Sequence, residues 1–333
     1  MSLRLHVFAA KRDGPARLRY EAAMSAAVRT RMVTVVASVG IVAALVFASR
    51  DRALADEPAK RVPIKEPSHE WRKIAGKYWQ VVSPPGEDPA VTDQRENNRG
   101  SCPAGMIEIK GKYRATTGEG DALQRASCKK WINTDFPERC AEFDKDAWLK
   151  ALASVPQQPM HYCIDRFEYP NRKGENPIIY MNFAEAGDLC KADKKRLCNE
   201  IEWTFACEGE DALPYPYGHV RDTDACVVDK TWRQFFGAFQ RGNPDKEAIL
   251  ELDYLWQGVP SGSKPKCKSP FGVYDMTGNI DEWTMSSYGG RKSILKGGYW
   301  GPVRDRCRPM TTAHNEEFSY YQVGFRCCGE AKP

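Results

Sequence analysis

Residues 271–283 read Phe-Gly-Val-Tyr-Asp-Met-Thr-Gly-Asn-Ile-Asp-Glu-Trp, the segment of this chain that is most informative about its fold. Farther along come Lys296-Gly297-Gly298-Tyr299-Trp300 and then Gly324-Phe325-Arg326-Cys327-Cys328. Gly278-Asn279 is a dipeptide suited to a turn with left-handed backbone. Gly297-Gly298 allows two backbone segments to approach where a side chain would clash. These three segments, in this order, indicate tightly turned loops beside short strands.

The composition is that of a globular protein, and its positive charge is confined to one end. The chain has 333 residues, of which 42% are hydrophobic and 28% charged. Residues 1–31 hold seven Lys/Arg and two Asp/Glu, a net of +5, and the remainder holds 42 of each sign. The excess is therefore an N-terminal flank, and no nucleic-acid surface is expected.

An uncharged apolar run follows this flank at residues 32–49. It is long enough to approach a bilayer span, and the basic residues 1–31 before it favour a cytoplasmic leader. Translation starting at Met24 or Met32 is the alternative for that leader. Residues 32–55 are then either a signal peptide cut after Ala53-Leu54-Ala55 or an uncleaved signal anchor in the membrane. Both predict an extracytoplasmic protein, periplasmic or secreted.

The number and positions of the cysteines also indicate an exported protein. There are twelve, and none precedes residue 102. An even number in the exported part indicates a disulfide framework in an oxidising compartment. Structural zinc sites need close Cys-x2–4-Cys pairs, which this spacing lacks, so disulfides are favoured over zinc.

The remaining chain divides into a linker and one domain. Residues 56–100 are rich in proline, which resists helix and sheet and keeps a linker extended. Within them, residues 71–82 either pack on the domain as one strand or belong to the linker. The domain is expected to span residues 101–330.

Local signals predict three helices in that domain. Asn182 and Asn199 each precede a helical pattern, and an asparagine side chain accepts a backbone N–H bond there. Glu202 completes a capping box with Asn199. Asp144–Val155 has apolar residues at helical spacing. From Pro214 onward no long periodic run appears, which predicts irregular loops pinned by short strands.

Four further segments accompany the three quoted above: Arg166-Phe167-Glu168, Met181-Asn182-Phe183-Ala184-Glu185-Ala186, Lys195-Arg196-Leu197-Cys198-Asn199-Glu200-Ile201-Glu202-Trp203 and Tyr215-Pro216-Tyr217-Gly218. In their order and spacing, Cys102–Cys328 resembles the sulfatase-modifying factors, or formylglycine-generating enzymes. Members of that family oxidise a sulfatase cysteine to formylglycine. The resemblance implies an α+β, C-type-lectin-like fold with low regular secondary structure and several disulfides.

The same resemblance bears on the chemistry. The family's oxidase holds Cu(I) with two cysteines, five apart, after a Gly-Gly pair, in keeping with the preference of copper for soft thiolates. Here Pro302 stands at the first position and Cys307 at the second, so copper is not expected. The resemblance implies disulfides Cys190–Cys327 and Cys207–Cys307. Cys307 is the one catalytic candidate left, although a disulfide is its favoured role.

A calcium ion is the cofactor that the resemblance implies. Its ligands would be the side chains of Asn279 and Glu282 with the backbone carbonyls of Met276 and Gly278, oxygen donors of the kind that calcium prefers. The alternative is that Glu282 pairs with an arginine and Asn279 only caps the turn. Asp281 stands where the family has a tryptophan.

The loop after the Gly-Gly pair also supplies a candidate ligand groove, formed by Tyr299, Trp300, Arg304 and Arg306. Tyr299 replaces a serine of the family. One interpretation is a cationic groove for an acidic or extended peptide. The other is a salt-bridged scaffold, in which each exposed pair contributes about 0–1 kcal/mol.

Three functions follow from these observations. The first is a binding or maturation module for an extracytoplasmic peptide, protein or glycan. The second is a copper-independent enzyme on the same fold, and the third is a residual formylglycine-generating oxidase. The oxidase function requires Cys307 to be a free thiol, because the fold alone does not supply the chemistry.

Overall fold

A computed structural model of the protein describes residues 66–83, 100–115, 119–134, 139–238, 244–286 and 288–332. The predicted leader at 1–31 and the apolar segment at 32–55 lie outside these residues. Within the described ranges, no helix is both long and apolar enough to cross a membrane.

Regular structure is limited to twelve short strands and five helices in the described part of the chain, with a 3₁₀ turn at Tyr288–Gly290. The helices are α1 (Glu119–Ala126), α2 (Lys145–Leu152), α3 (Phe183–Ala192), α4 (Glu200–Glu208) and α5 (Asp245–Leu255). The strands are β1 (Trp71–Ile74), β2 (Tyr78–Val81), β3 (Met106–Arg114), β4 (Cys128–Asn133), β5 (Arg139–Phe143), β6 (Gln157–Asp165), β7 (Arg196–Leu197), β8 (Asp281–Met285), β9 (Ser293–Lys296), β10 (Met310–Thr311), β11 (Val323–Phe325) and β12 (Cys327–Glu330).

Two four-stranded sheets organise the domain. The first has the order β3-β6-β12-β7, and its longest pairing runs antiparallel from Met106 opposite Asp165 to Arg114 opposite Gln157. The second has the order β10-β9-β8-β11, in which β11 runs parallel to β8. Helix α4 contacts β6 of the first sheet and β8 and β9 of the second. Its fully buried Trp203 therefore lies in the core between the sheets.

The predicted helix caps are confirmed. Asn182 caps α3 in a capping box with Glu185, and Asn199 caps α4 in a second capping box with Glu202. Each asparagine accepts the backbone N–H three residues on, which satisfies a donor that has no partner inside the helix. Asp144 caps α2 in the same way, by accepting from Ala147.

The segment 71–82 forms a hairpin and not the single strand considered from sequence. Strands β1 and β2 pair antiparallel, because Ala75 and Gly76 reverse the chain with positive φ angles of 50° and 70°. The hairpin packs on the domain. Trp79 donates its N–H to the carbonyl of Ile179 at 3.1 Å, and the indole of Trp71 donates to Asp253 at 3.1 Å. The folded domain thus includes part of the predicted linker.

Helix α5 was not predicted. Its N-cap is Pro244, which makes no side-chain capping bond, so the usual sequence signal is missing. The helix is stabilised by burial of Ala248, Leu252 and Leu255 in a cluster of apolar side chains that also contains Trp71. Tertiary packing supplies most helix stability in proteins, and that packing comes from residues distant in the sequence.

All twelve cysteines are paired in six disulfides. Cys190 is joined to Cys327 and Cys207 to Cys307, the two pairs that the resemblance implies. The other four are Cys102–Cys163, Cys128–Cys140, Cys198–Cys328 and Cys226–Cys267. No cysteine is left to ligate zinc.

Candidate functional site

The loop that joins β9 to β10 occupies the position at which the resemblance places the chemistry. Gly297 and Gly298 begin it with φ angles of +89° and +73°, a region that favours glycine. A Cβ on Gly298 would lie 2.0 Å from the carbonyl oxygen of Arg304. The loop therefore folds back on itself so closely that only glycine fits.

Two residues of this loop decide whether copper can be held. Cys307 is fully buried and bonded to Cys207 of α4, so it offers no thiolate. Pro302 has no side chain that can ligate a metal. A two-coordinate Cu(I) site needs two thiolates, and the residues present do not fit it. The disulfide instead fixes the end of the loop to α4.

The predicted cationic groove is wrong, because its arginines are buried and paired. Arg304 bonds to Asp281, and Arg306 bonds to Gln124 at 2.6 Å. Arg308 donates to both oxygens of Glu208, at 2.7 and 2.8 Å. A buried guanidinium needs such partners, since an unpaired charge in the interior is strongly disfavoured. The salt-bridged scaffold is the arrangement observed.

The aromatic members of the predicted groove differ from one another. Trp300 is 1% exposed and packs against Trp256 and Tyr321, with ring centroids 4.9 and 5.9 Å apart. Tyr299 remains half-buried. Burial, followed by the nearby charge of Asp281, raises the pKa of Tyr299. Of the four groove residues, only Tyr299 can contact a ligand at the surface.

The Gly278-Asn279 turn does not provide the expected calcium ligands. Glu282 is 1% exposed, and its oxygens accept bonds from Arg326 at 2.6–3.0 Å and from the indole of Trp203 at 2.8 Å. A calcium ion bound to Glu282 would lie beside the Arg326 charge and would have to displace it. The arginine pairing considered as the alternative is the one observed.

The other three predicted ligands are also engaged in packing. Asn279 donates its amide to Glu168 at 2.7 Å and accepts from the backbone of Val259 at 2.9 Å. Met276 is fully buried, and a Cβ on Gly278 would lie 2.4 Å from the carbonyl oxygen of Val227. With both predicted side-chain ligands bound to other residues, only two backbone carbonyls of the predicted set remain, too few for a calcium ion, and the side chains fix the turn instead.

Two further buried carboxyl groups face Arg326, and sequence reasoning missed both. Burial raises the pKa of Asp275 to about 7. Burial and then the neighbouring Asp275 raise the pKa of Glu168 well above its usual range. One guanidinium does not balance three carboxylates, which adds to burial as a reason why Asp275 and Glu168 bind their protons more tightly than usual. Both residues stand in the quoted motifs, but a sequence does not reveal that they are buried together.

Half-exposed and exposed rings lie beside the loop. The backbone N–H groups of Asp229 and Lys230 donate to Gly301 and Trp300, at 3.3 and 2.7 Å, which fixes the following segment against the loop. That segment exposes Trp232 by 61% and Phe236 by 43%. We call these two rings and three half-buried ones, Phe235, Tyr299 and Tyr320, the aromatic face; the three half-buried rings pack against one apolar cluster.

Edge-on and stacked contacts between rings hold two members of the aromatic face, Phe235 and Tyr320, in place. Phe235 packs edge-on against Tyr320 at 5.1 Å, and Tyr320 stacks on Phe318 at 5.4 Å. Phe318 in turn stacks on His314 at 3.6 Å. These contacts hold the half-buried rings in place, and Trp232 is the most exposed member of the aromatic face.

Comparison with known proteins now decides the family. The sequence pattern of the Sulfatase-modifying factor enzyme 1-like domain family matches residues 112–331. The chain belongs to this family. As a sulfatase-modifying-factor-type domain, it has the family's mixed α and β fold with few helices and many disulfides.

The relatives include active and inactive members. The mouse protein described as inactive C-alpha-formylglycine-generating enzyme 2 is 29% identical over 169 residues, covering 48% of this chain and 51% of that protein. Mouse formylglycine-generating enzyme is 21% identical over 183 residues, covering 48% and 46%. The chain thus matches about half the length of these relatives. Among solved structures, CarF has a TM-score of 0.41 at 12% identity, covering 68% of this chain and 98% of its own.

Proposed function

We propose that this sulfatase-modifying-factor-type domain is a binding or maturation module that does not carry out copper-dependent cysteine oxidation. The observation that carries the proposal is the Cys207–Cys307 disulfide, together with Pro302 at the other copper position. Nucleophilic and metal-binding chemistry of cysteine requires the thiolate. The description of the mouse relative as inactive supports the same conclusion.

The six disulfides indicate an oxidising, extracytoplasmic environment. A partner outside the cytoplasm is therefore the one to consider. Anchoring through residues 32–49 remains a proposal.

The aromatic face is the surface that we assign to the partner. Tryptophan, tyrosine and phenylalanine are enriched at protein interfaces, where a few such residues supply most of the binding free energy. Trp232 and Phe236 are exposed beside the β9–β10 loop, whose end is fixed by the Cys207–Cys307 disulfide. We assign a peptide or protein segment as the partner, because aromatic residues of this kind are typical of protein interfaces.

A copper-independent enzyme is the less favoured alternative. Tyr299 has a raised pKa and is thus a poor proton donor or nucleophile at neutral pH. Asp281 is neutralised by Arg304. Burial lowers the pKa of Lys296 to about 7, a value suited to a general base, but Lys296 is 1% exposed and donates to the Arg308 carbonyl at 2.8 Å. No substrate reaches that amine.

The oxidase question is tested with Cu(I), oxygen and a peptide bearing the sulfatase Cys-x-Pro-x-Arg motif. We expect the peptide mass to remain that of the thiol, whereas a copper-loaded formylglycine-generating enzyme run in parallel converts it. Formation of formylglycine by the purified protein, blocked by Cys307→Ala, would overturn the proposal.

Binding is tested with a displayed peptide library. We expect sequences enriched on the full-length protein to lose at least about tenfold in affinity with Trp232→Ala, as for a residue that supplies binding free energy. Tyr288→Ala is the matched control, because Tyr288 is 40% exposed outside the aromatic face. Equal effects of the two substitutions, or binding retained in a Trp232→Ala/Phe236→Ala variant, would contradict the assigned surface.

A further inference from the structure

A cavity of about 380 Å³ lies at the open end of the β3–β6 pair. Its walls come from three elements. The register pair Arg114 and Gln157 forms one wall, one face of α2 forms the second, and residues 210–213 with His219 form the third. This volume is in the range of small-molecule pockets.

Arg114 is fixed in place and still has donors to offer. Its Nη1 donates to the carbonyls of Leu152 and Val155, at 3.2 and 2.9 Å. Within the described part of the chain its side chain makes no other hydrogen bond. A guanidinium carries five N–H donors in a planar fork that matches a carboxylate. Arg114 is therefore arranged to bind a carboxylate in the cavity.

Opposite charge is present in the same cavity. Asp211 is exposed and has no ion pair with any residue that the structure describes. Its neighbour Glu210 uses Oε1 to accept the backbone N–H of Lys112 at 2.8 Å, which fixes the loop. Asp211 is thus available to an ammonium group.

Apolar side chains and the imidazole of His219 also line the cavity. Leu149 of α2 is 38% exposed there, beside Leu152 and Leu213. The Nε2 atom of His219 is buried and has no hydrogen-bond partner. Burial and then the Lys145 charge lower the pKa of His219, so the ring is neutral at pH 7. The imidazole therefore adds no charge to the cavity.

We propose that this cavity binds a small zwitterion with an apolar side chain, an α-amino acid or a dipeptide. Its carboxylate pairs with Arg114, its ammonium group with Asp211, and its side chain lies on Leu149. A fixed cation, an available anion and an apolar surface on one cavity match these three groups. The site shares no residue with the aromatic face, and its occupancy is independent of the proposed function.

Calorimetric titration of the full-length protein with four probes tests this inference. L-leucine and Leu-Leu carry both charges, leucinamide lacks the carboxylate, and N-acetyl-leucine lacks the ammonium group. We expect leucine or Leu-Leu to bind at least about tenfold more tightly than the two capped probes, because each capped probe loses a charged hydrogen bond. The tighter of the two zwitterions identifies the amino acid or the dipeptide as the ligand. Equal binding of leucine and leucinamide, or no heat with any probe at millimolar concentration, would overturn the proposal.

Substitutions locate the site. Asp211→Asn should weaken leucine about tenfold and leave N-acetyl-leucine unchanged, since only leucine presents an ammonium group. Asp188→Asn is the matched control, because Asp188 is an exposed acid of α3 whose side chain is 75% exposed. Asp211 is exposed, so its substitution is not expected to unfold the protein, and circular dichroism checks this. A loss with Asp188→Asn equal to that with Asp211→Asn would refute the assignment.

Discussion

Replacing Glu282 with glutamine tests whether this carboxylate balances Arg326 or serves a calcium ion. The side chains are 1% and 0% exposed, and Arg326 donates to both oxygens of Glu282. Removing one partner of a buried ion pair typically costs about 3–5 kcal/mol, because the other charge is left uncompensated. At pH 8 we expect a loss near the lower limit, about 3 kcal/mol, since Asp275 also faces Arg326 and is ionised there.

The same substitution should cost more in acid. In the wild-type protein the pKa of Asp275 is about 7, and the Glu282 charge contributes to raising it; in the variant this carboxyl group therefore protonates at a lower pH than in the wild type and gives Arg326 progressively less compensation as the pH falls to 5. The loss should then approach about 5 kcal/mol. Urea unfolding with the disulfides intact, followed by the fluorescence of the nine tryptophans, measures the free energy of unfolding at both pH values.

Two comparisons make this result decisive. Glu317→Gln changes an exposed acid and should alter the free energy of unfolding by less than about 0.5 kcal/mol. EDTA should leave the wild-type value unchanged. A loss below about 1 kcal/mol for Glu282→Gln, or a wild-type protein destabilised by EDTA as much as by the substitution, would refute the ion-pair account.

Two other predictions concern stability. In the folded protein the pKa of Asp275 is about 7, whereas in the unfolded chain it returns to the ordinary pKa of 3.8. Asp275 therefore makes the free energy of unfolding fall as the pH rises between those two values. Asp275→Asn should flatten this dependence, measured by urea unfolding at pH 4, 5.5 and 7. A pH dependence unchanged by the substitution would exclude Asp275 as its source. Trp71→Ala should cost about 3–5 kcal/mol in the same assay, because the indole packs on Trp256 at 5.9 Å and bonds to Asp253. A loss under about 1 kcal/mol would mean that the hairpin is not an integral part of the domain.

Sequence signals predicted the helix starts that depend on contacts between residues close in the chain. The capping boxes at Asn182 and Asn199 close within three residues, and both helices begin where the pattern indicates. Helix α5 has no such signal at Pro244, and its stability comes from packing against distant residues. The motifs gave the family and hence the architecture.

The site was harder to predict, because its partners are far apart in the chain. Arg304, Arg306 and Arg308 alternate like residues on an exposed strand. In the fold, Arg308 pairs with Glu208, 100 residues earlier, and Arg306 with Gln124, 182 residues earlier. No sequence spacing reports such pairs. The same holds for the cavity at Arg114, whose three walls come from separate elements.

Counting thiols shows whether this sulfatase-modifying-factor-type domain has a free cysteine with which to hold copper. The mature protein is unfolded in guanidinium chloride without a reductant, treated with iodoacetamide and analysed by peptide mass spectrometry. The account predicts that none of the twelve cysteines is alkylated and that Cys307 is recovered in a peptide linked to Cys207. Alkylation of Cys307 in a substantial fraction of the protein would contradict it and restore the oxidase as the function to test.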